Sequence, residues 1–180
     1  MVKKQAKLLL EQALMQMLEK SSLDKIDVRE LAAKSGLSRQ TFYYNFKNKQ
    51  DMVDWLCDKN NEKSRHAYWE NNSFSDYILT ALNTISQYRL FYIYALPGNN
   101  DKGVPGPFER GIISLAQEIE LRGSQGRMDS EQWEALIFFA YGAKGMVMRW
   151  LTEQSRSNVE ELARVIINNI PIPLKEYFAA

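Results

Sequence analysis

The chain has 180 residues, of which 45% are hydrophobic and 25% charged, enough for a sizeable core without disulfides or metals. One cysteine and one histidine exclude a disulfide framework and a Cys/His metal centre, and no apolar run approaches the roughly 20 residues needed to span a bilayer. Net charge is +1, but residues 1–50 hold ten Lys/Arg against five Asp/Glu and the remainder thirteen against seventeen, so one end is suited to meet a polyanion.

Helical spacing dominates and no segment alternates with period two, which makes the fold class all-α. Leu10, Ala13, Leu14, Met17 and Leu18 form one face of a first helix. Asp27 and Glu30 have the spacing of a capping box, opening a second helix that buries Val28, Leu31 and Ala32. Ser35, Gly36 and Leu37 interrupt it, with Gly36 suited to a left-handed position just past the helix end. Ser38 caps a short third helix through Tyr44, burying Leu37, Phe42 and Phe46. Asn48 and Asp51 open a longer helix to about Tyr68, with Met52, Trp55 and Leu56 turned inward. Ser73 and Asp76 cap a helix expected from Phe74 to about Ala95, and the strongest loop signal follows at residues 97–103.

After Pro105 and Pro107 a helix runs to about Arg122, closed by Gly123 and Gly126. Asp129 and Gln132 open the longest segment, to about Gln154, and Ser157 and Glu160 form a further capping box for a helix ending before Pro171 and Pro173. The expected architecture is about nine helices, a three-helix head over 1–50 and a larger bundle over 51–180.

Two short helices joined by a tight turn, the second rich in polar groups, describe a helix-turn-helix over residues 27–46. A helix of about seven residues is roughly 10 Å long and can enter a major groove about 12 Å wide by its N-terminal end. Ser38, Arg39, Gln40, Thr41, Tyr43 and Asn45 offer hydrogen-bonding groups on it. Arg suits guanine edges, Gln and Asn suit adenine, and Thr offers a hydroxyl or a methyl. Lys47 and Lys49 flank it beside the N-terminus of the next helix, a natural place to hold phosphate.

Residues 26–49, above all Thr41-Phe42-Tyr43-Tyr44-Asn45-Phe46 followed by Lys49, resemble the DNA-binding head of TetR-family transcriptional regulators. The resemblance covers about residues 5–55; beyond it only the helical layout is similar. It implies a three-helix head plus the start of a fourth helix, followed by a ligand-sensing and dimerising bundle. By motif position it implies that Arg39, Gln40, Thr41 and Tyr43 face DNA, that Lys49 holds phosphate, and that Arg29 is a further backbone contact. Asn45 stands where family members often carry His, Tyr or Arg. Tyr44, about 100° around the helix from Tyr43, is expected to pack against the first or fourth helix.

In the larger part, residues 129–154 are apolar most of the way round and so call for burial on most sides, while Gly142 and Gly145 permit close helix approach. The resemblance implies that the last two helices pair with their copies in a homodimer, with Trp133, Ile137, Ala140, Met148, Leu151, Leu162 and Ile166 as interface candidates; the plainer reading is that both helices close a monomer core. Tyr88, Phe91, Tyr92, Phe138, Tyr141 and Trp150, with Tyr94, are candidates to line an effector pocket. His66 reads as a helix residue near the domain joint, and no catalytic triad, Cys–His pair or phosphate loop is discernible, so neither an enzyme nor a cofactor is expected.

With no signal-peptide pattern in residues 1–10, the expected location is cytoplasmic, with no membrane partner. The resulting expectation is a dimeric repressor on a palindromic double-stranded operator, released by a small-molecule effector in the bundle. A second reading places control in a protein partner: residues 39–44, 145–151 and 157–163 resemble the branch containing regulators of dihydroxyacetone kinase genes. A third is a helical interaction protein without DNA binding.

Overall fold

A computed structural model describes residues 2–96, 105–123, 126–153 and 158–178. Among these residues the secondary structure is entirely helical: α1 (Val2–Leu18), α2 (Val28–Lys34), α3 (Arg39–Asn45), α4 (Lys49–Asn71), α5 (Phe74–Gln87), α6 (Arg89–Ala95), α7 (Pro107–Leu121), α8 (Ser130–Thr152), α9 (Val159–Asn168) and α10 (Lys175–Phe178), with 3₁₀ turns at Leu23–Lys25 and Ile172–Leu174. The loop expected at 97–103, and Gln154 and Ser157, lie outside the described residues.

The helix ends follow from side-chain capping. Ser38, Asn48 and Ser73 each accept from the backbone N–H three residues on, of Thr41, Asp51 and Asp76. Asp129 and Gln132 close the expected capping box on α8. Two expectations shift. Asp27 accepts from the Arg29 N–H at 2.6 Å, a simple cap in place of the expected box with Glu30. On α9 the box is formed by Asn158 and Glu161, one residue later than expected.

The helix expected over 74–95 is broken. Tyr88 leaves helical geometry at φ −109° and ψ 37°, and α6 restarts at Arg89, whose guanidinium donates to the Leu151 carbonyl near the end of α8. At the C-terminal end of the described chain, Pro171 precedes a 3₁₀ turn and α10 rather than ending the order, and Phe178 stacks on Phe74 at 4.2 Å.

Helices α1, α2 and α3 pack on one another as a head, while α4, α5, α7, α8 and α9 form the body. α4 serves both: its Trp55 meets Phe46 of the head at 5.5 Å, its Lys59 pairs with Glu11 of α1, and its later turns lie against α5 and α7. A 23-residue helix is about 35 Å long, so α4 is a rigid strut from head to body, and the expected boundary at residue 50 falls in its first turn.

Candidate nucleic-acid interface

The turn between α2 and α3 is a Schellman motif. Leu37 N–H donates to the Ala32 carbonyl at 2.9 Å and Gly36 N–H to that of Ala33 at 3.1 Å, with Gly36 at φ +71°. Only glycine takes that conformation at little cost, so Gly36 fixes the angle between the two helices. Ser38 then caps α3 through the Thr41 N–H at 3.0 Å, and its hydroxyl lies 2.9 Å from that of Thr41.

Phe42 and Phe46, 0% and 2% exposed, anchor the inner side of α3. The outer side is open: Ser38, Arg39 and Gln40 are exposed, Thr41 is half-buried, and Tyr43 is 50% exposed with its ring edge-on to Phe42 at 5.4 Å. Arg29 and Lys47 are exposed as well. A short rod held by two buried rings and presenting a guanidinium, an amide, hydroxyls and a phenol can read groove edges without rearranging.

Three expectations are corrected. Lys49 is not available to hold phosphate, because its ammonium donates to the carbonyls of Leu23, Asp24 and Ile26 at 2.5, 3.2 and 2.9 Å. An ammonium has three protons, and all three carbonyls lie in the turn before α2, so Lys49 ties that turn to α4. The N-terminus of α4 is likewise taken, since Asn48 accepts from the Asp51 N–H and the Asp51 carboxylate accepts from the Lys47 N–H at 2.8 Å. Asn45 turns back on its own helix, its Nδ2 donating to the Thr41 carbonyl at 2.8 Å and its Oδ1 buried, so its amide does not face outward.

Tyr44 is 73% exposed rather than packed on α1 or α4. It is the contact candidate that sequence reasoning missed. The signal was present, because Phe42 and Phe46 mark the buried side and a residue two positions on from Phe42 lies about 200° away.

In the body the aromatic candidates part company. Phe91 and Tyr92 are buried, Trp150 is 9% exposed and Tyr88 is half-buried, but Phe138 is 79% and Tyr141 37% exposed on the outside of α8, with Tyr94 exposed on α6. Phe138 and Tyr141 therefore line no interior pocket. Beside Tyr92 lies a small space of only about 10 Å³, bounded by Cys57, Asn60, Ser64, Tyr77 and Thr84 together with the apolar Ile85 and Phe108. It has room for one water at most. There Asn60 Nδ2 donates to Tyr92 Oη at 2.9 Å, while Ser64 Oγ is buried without a partner. Burial pushes the Cys57 thiol up to about 12 and raises the Tyr77 and Tyr92 phenols above their usual range.

The interface candidates also divide. Ala140, Leu151, Leu162 and Ile166 are 0%, 1%, 4% and 3% exposed, so they belong to the core of the single chain and offer a second copy almost no surface. Trp133, Ile137 and Met148 are half-buried. What α8 leaves open instead is Phe138, Tyr141, Gly142 and Gly145. His66 is exposed on α4.

A head of this geometry, with a buried aromatic anchor and an exposed polar flank after a tight turn, defines the class: a helix-turn-helix DNA-binding protein. Residues 9–55, about a quarter of the chain, match the family model described as bacterial regulatory proteins, tetR family. Residues 9–55 thus carry a DNA-binding domain of the tetR family.

Solved structures extend the likeness in fold to the whole length. The dihydroxyacetone kinase operon activator DhaS is similar at 14% identity over 97% of this chain and 98% of that one, with a TM-score of 0.67. A TetR transcriptional regulator from Rhodococcus sp. RHA1 is similar at 13% identity over 97% and 98%, TM-score 0.62. A tetR-family transcriptional regulator from Streptomyces coelicolor is similar at 13% identity over 97% and 83%, TM-score 0.64. The comparison with curated protein sequences gives no match. No helix among the described residues is long and apolar enough to cross a membrane.

Proposed function

We propose that this protein binds a two-fold symmetric operator as a homodimer, each head placing the N-terminal end of α3 in a major groove. The observation that carries this is the open polar flank of α3, where Arg39, Gln40 and Tyr43 stand exposed on a helix whose opposite side is locked by Phe42 and Phe46. One head offers only a few base contacts, so two heads about 34 Å apart on successive turns of a duplex supply the remaining affinity. Exposed Arg29 and Lys47 add phosphate contacts. A dimer covering two successive grooves blocks other proteins from that DNA, which makes repression its default action.

We further propose that control reaches the body from a protein partner at its surface. Effector sites for drug-sized molecules enclose roughly 300–1,000 Å³. The interior space beside Tyr92 has about 10 Å³, and the larger spaces, about 780 Å³ between α1 and α4 and about 370 Å³ between α8 and α9, lie open at the surface.

The test is a gel shift on a selected operator. Arg39→Ala with Tyr43→Ala should abolish the specific complex while sedimentation shows the oligomeric state unchanged. Binding of the unaltered protein should weaken steeply with salt, as neutralised phosphates release their counterions. Retention of the specific complex by the doubly altered protein would overturn the contact assignment. Filling the interior with Ser64→Val should leave the response of a cellular reporter intact. Loss of that response with operator binding unimpaired would place the signal inside the bundle instead.

A further inference from the structure

Where the head meets the strut, α1 and α4 leave an open cleft of about 780 Å³ between them. Its floor is apolar. Leu8 of α1 is 41% exposed, and Trp55 of α4 is half-buried with its indole against Phe46 of the head. Two ammonium groups hold that floor in place. Lys7 Nζ lies 4.7 Å from the ring centres of both Phe46 and Trp55, and Lys59 Nζ lies 5.5 Å from that of Trp55.

The remaining charges of the cleft divide into those the chain uses and those it leaves over. Lys59 also pairs with Glu11, and Arg65 pairs with Glu118 at 3.1 Å. Lys4 on the α1 wall and Asp58 and Glu62 on the α4 wall are exposed, and none of the three has an ion-pair partner among the described residues. Asp58 and Glu62 stand four residues apart, on the same side of α4 as Trp55. The cleft therefore sets a spare positive group against two spare negative ones across a strip of exposed apolar surface. An apolar centre holding a tryptophan and rimmed by charge is the anatomy of a protein-binding hot spot. A small molecule is held by burying most of its surface, which an open cleft does not do.

We infer that the cleft between α1 and α4 is the docking site of the controlling partner protein. It takes a segment that seats an apolar side chain on Leu8 and Trp55, with an acidic group towards Lys4 and a basic group towards Asp58 and Glu62. The inference rests on the partner-controlled reading proposed above and names the surface and the chemistry it selects. A bound partner shifts a conformational equilibrium only by its difference in affinity for the two forms. A segment in this cleft touches the head through α1 and the strut through α4, so it favours the one spacing of those helices that it fits. It thereby sets the angle at which α3 meets DNA.

Selection of a random peptide library on the folded protein tests it. Selected peptides should share an acidic, apolar, basic order. A labelled peptide of that consensus should lose about 10-fold or more in affinity on Leu8→Gln, and as much on Asp58→Asn with Glu62→Gln. Lys4→Glu should weaken the same peptide, and replacing the peptide's acidic residue by lysine should recover the loss. In cells, Leu8→Gln should abolish the reporter's response with operator binding unimpaired, because Leu8 is an exposed residue of α1 and not part of α3. Selection that enriches no such order, or a consensus peptide that binds the Leu8→Gln protein as tightly as the unaltered one, overturns the site. So does a reporter that still responds in full with Leu8→Gln, or self-association of the unaltered chain that Leu8→Gln removes, which would give the cleft to a second copy. Each of these leaves the partner-controlled reading itself to stand or fall by the Ser64→Val protein.

Discussion

The two outward faces of this molecule, on α3 and on α8, are built from similar parts to different ends. Each helix has buried rings on its inner side, Phe42 in α3 and Phe139 and Trp150 in α8. Each also leaves aromatic residues outside, Tyr43 and Tyr44 on α3 and Phe138 and Tyr141 on α8. What lies between the exposed rings separates them. On α3 the neighbours are Arg39, Gln40 and Thr41, hydrogen-bonding groups suited to base edges and phosphates. On α8 they are Gly142 and Gly145, which offer shape and almost no polarity. The lesson is that exposed aromatics do not name a partner, whereas the groups set among them do.

The largest effect that can break this contrast lies under the α3 face. Phe42→Ala empties a fully buried site and should destabilise the head by about 3–5 kcal/mol, measured by denaturant unfolding. A loss well under 1 kcal/mol would mean that the flank is not held by its buried side. Next, Arg39→Ala alone should cost about 1–3 kcal/mol of operator affinity and relax preference at one base pair, whereas Lys47→Ala should weaken all sequences alike. Equal loss on every sequence for both variants would remove the distinction between reading and anchoring.

Lys49→Met sharpens the contrast further. Its three bonds to carbonyls make it part of the scaffold, so stability should fall by roughly 1–3 kcal/mol while the slope of log affinity against log salt stays unchanged. A slope reduced by about one with stability intact would return Lys49 to the phosphate contacts.

The smallest effect concerns the interior of the body. Cys57, Tyr77 and Tyr92 all have folded-state values raised by burial, so the native protein holds them neutral while the unfolded chain ionises them first. Stability is therefore full below the ordinary thiol value of 9.0 and is lost as pH rises towards about 12. Thermal midpoints should decline progressively above pH 9, and a flat profile to pH 11 would show that these groups are not shielded.

Much of the head was legible because its signals are local. Ser38, Gly36, Asn48 and the Phe42–Phe46 spacing each act within a few residues, and they set helix ends and facing directly. Lys49 was misjudged because its partners lie 23 to 26 residues away, a separation no motif records. Facing along α8 was illegible for a different reason. Apolar residues surround most of the helix, so periodicity could not tell Ala140, which is buried, from Phe138, which is not. The break at Tyr88 has no glycine or proline to announce it, and Arg89 reaching the Leu151 carbonyl is a contact across 62 residues.

The central claim is that the open flank of α3 reads duplex DNA. Selection from a random double-stranded pool tests it most directly, run in parallel with the unaltered protein and with the Arg39→Ala, Tyr43→Ala form. The account predicts that the unaltered protein enriches a two-fold symmetric site with half-sites one helical turn apart, and that the altered form enriches nothing. Enrichment of the same site by both proteins would contradict it.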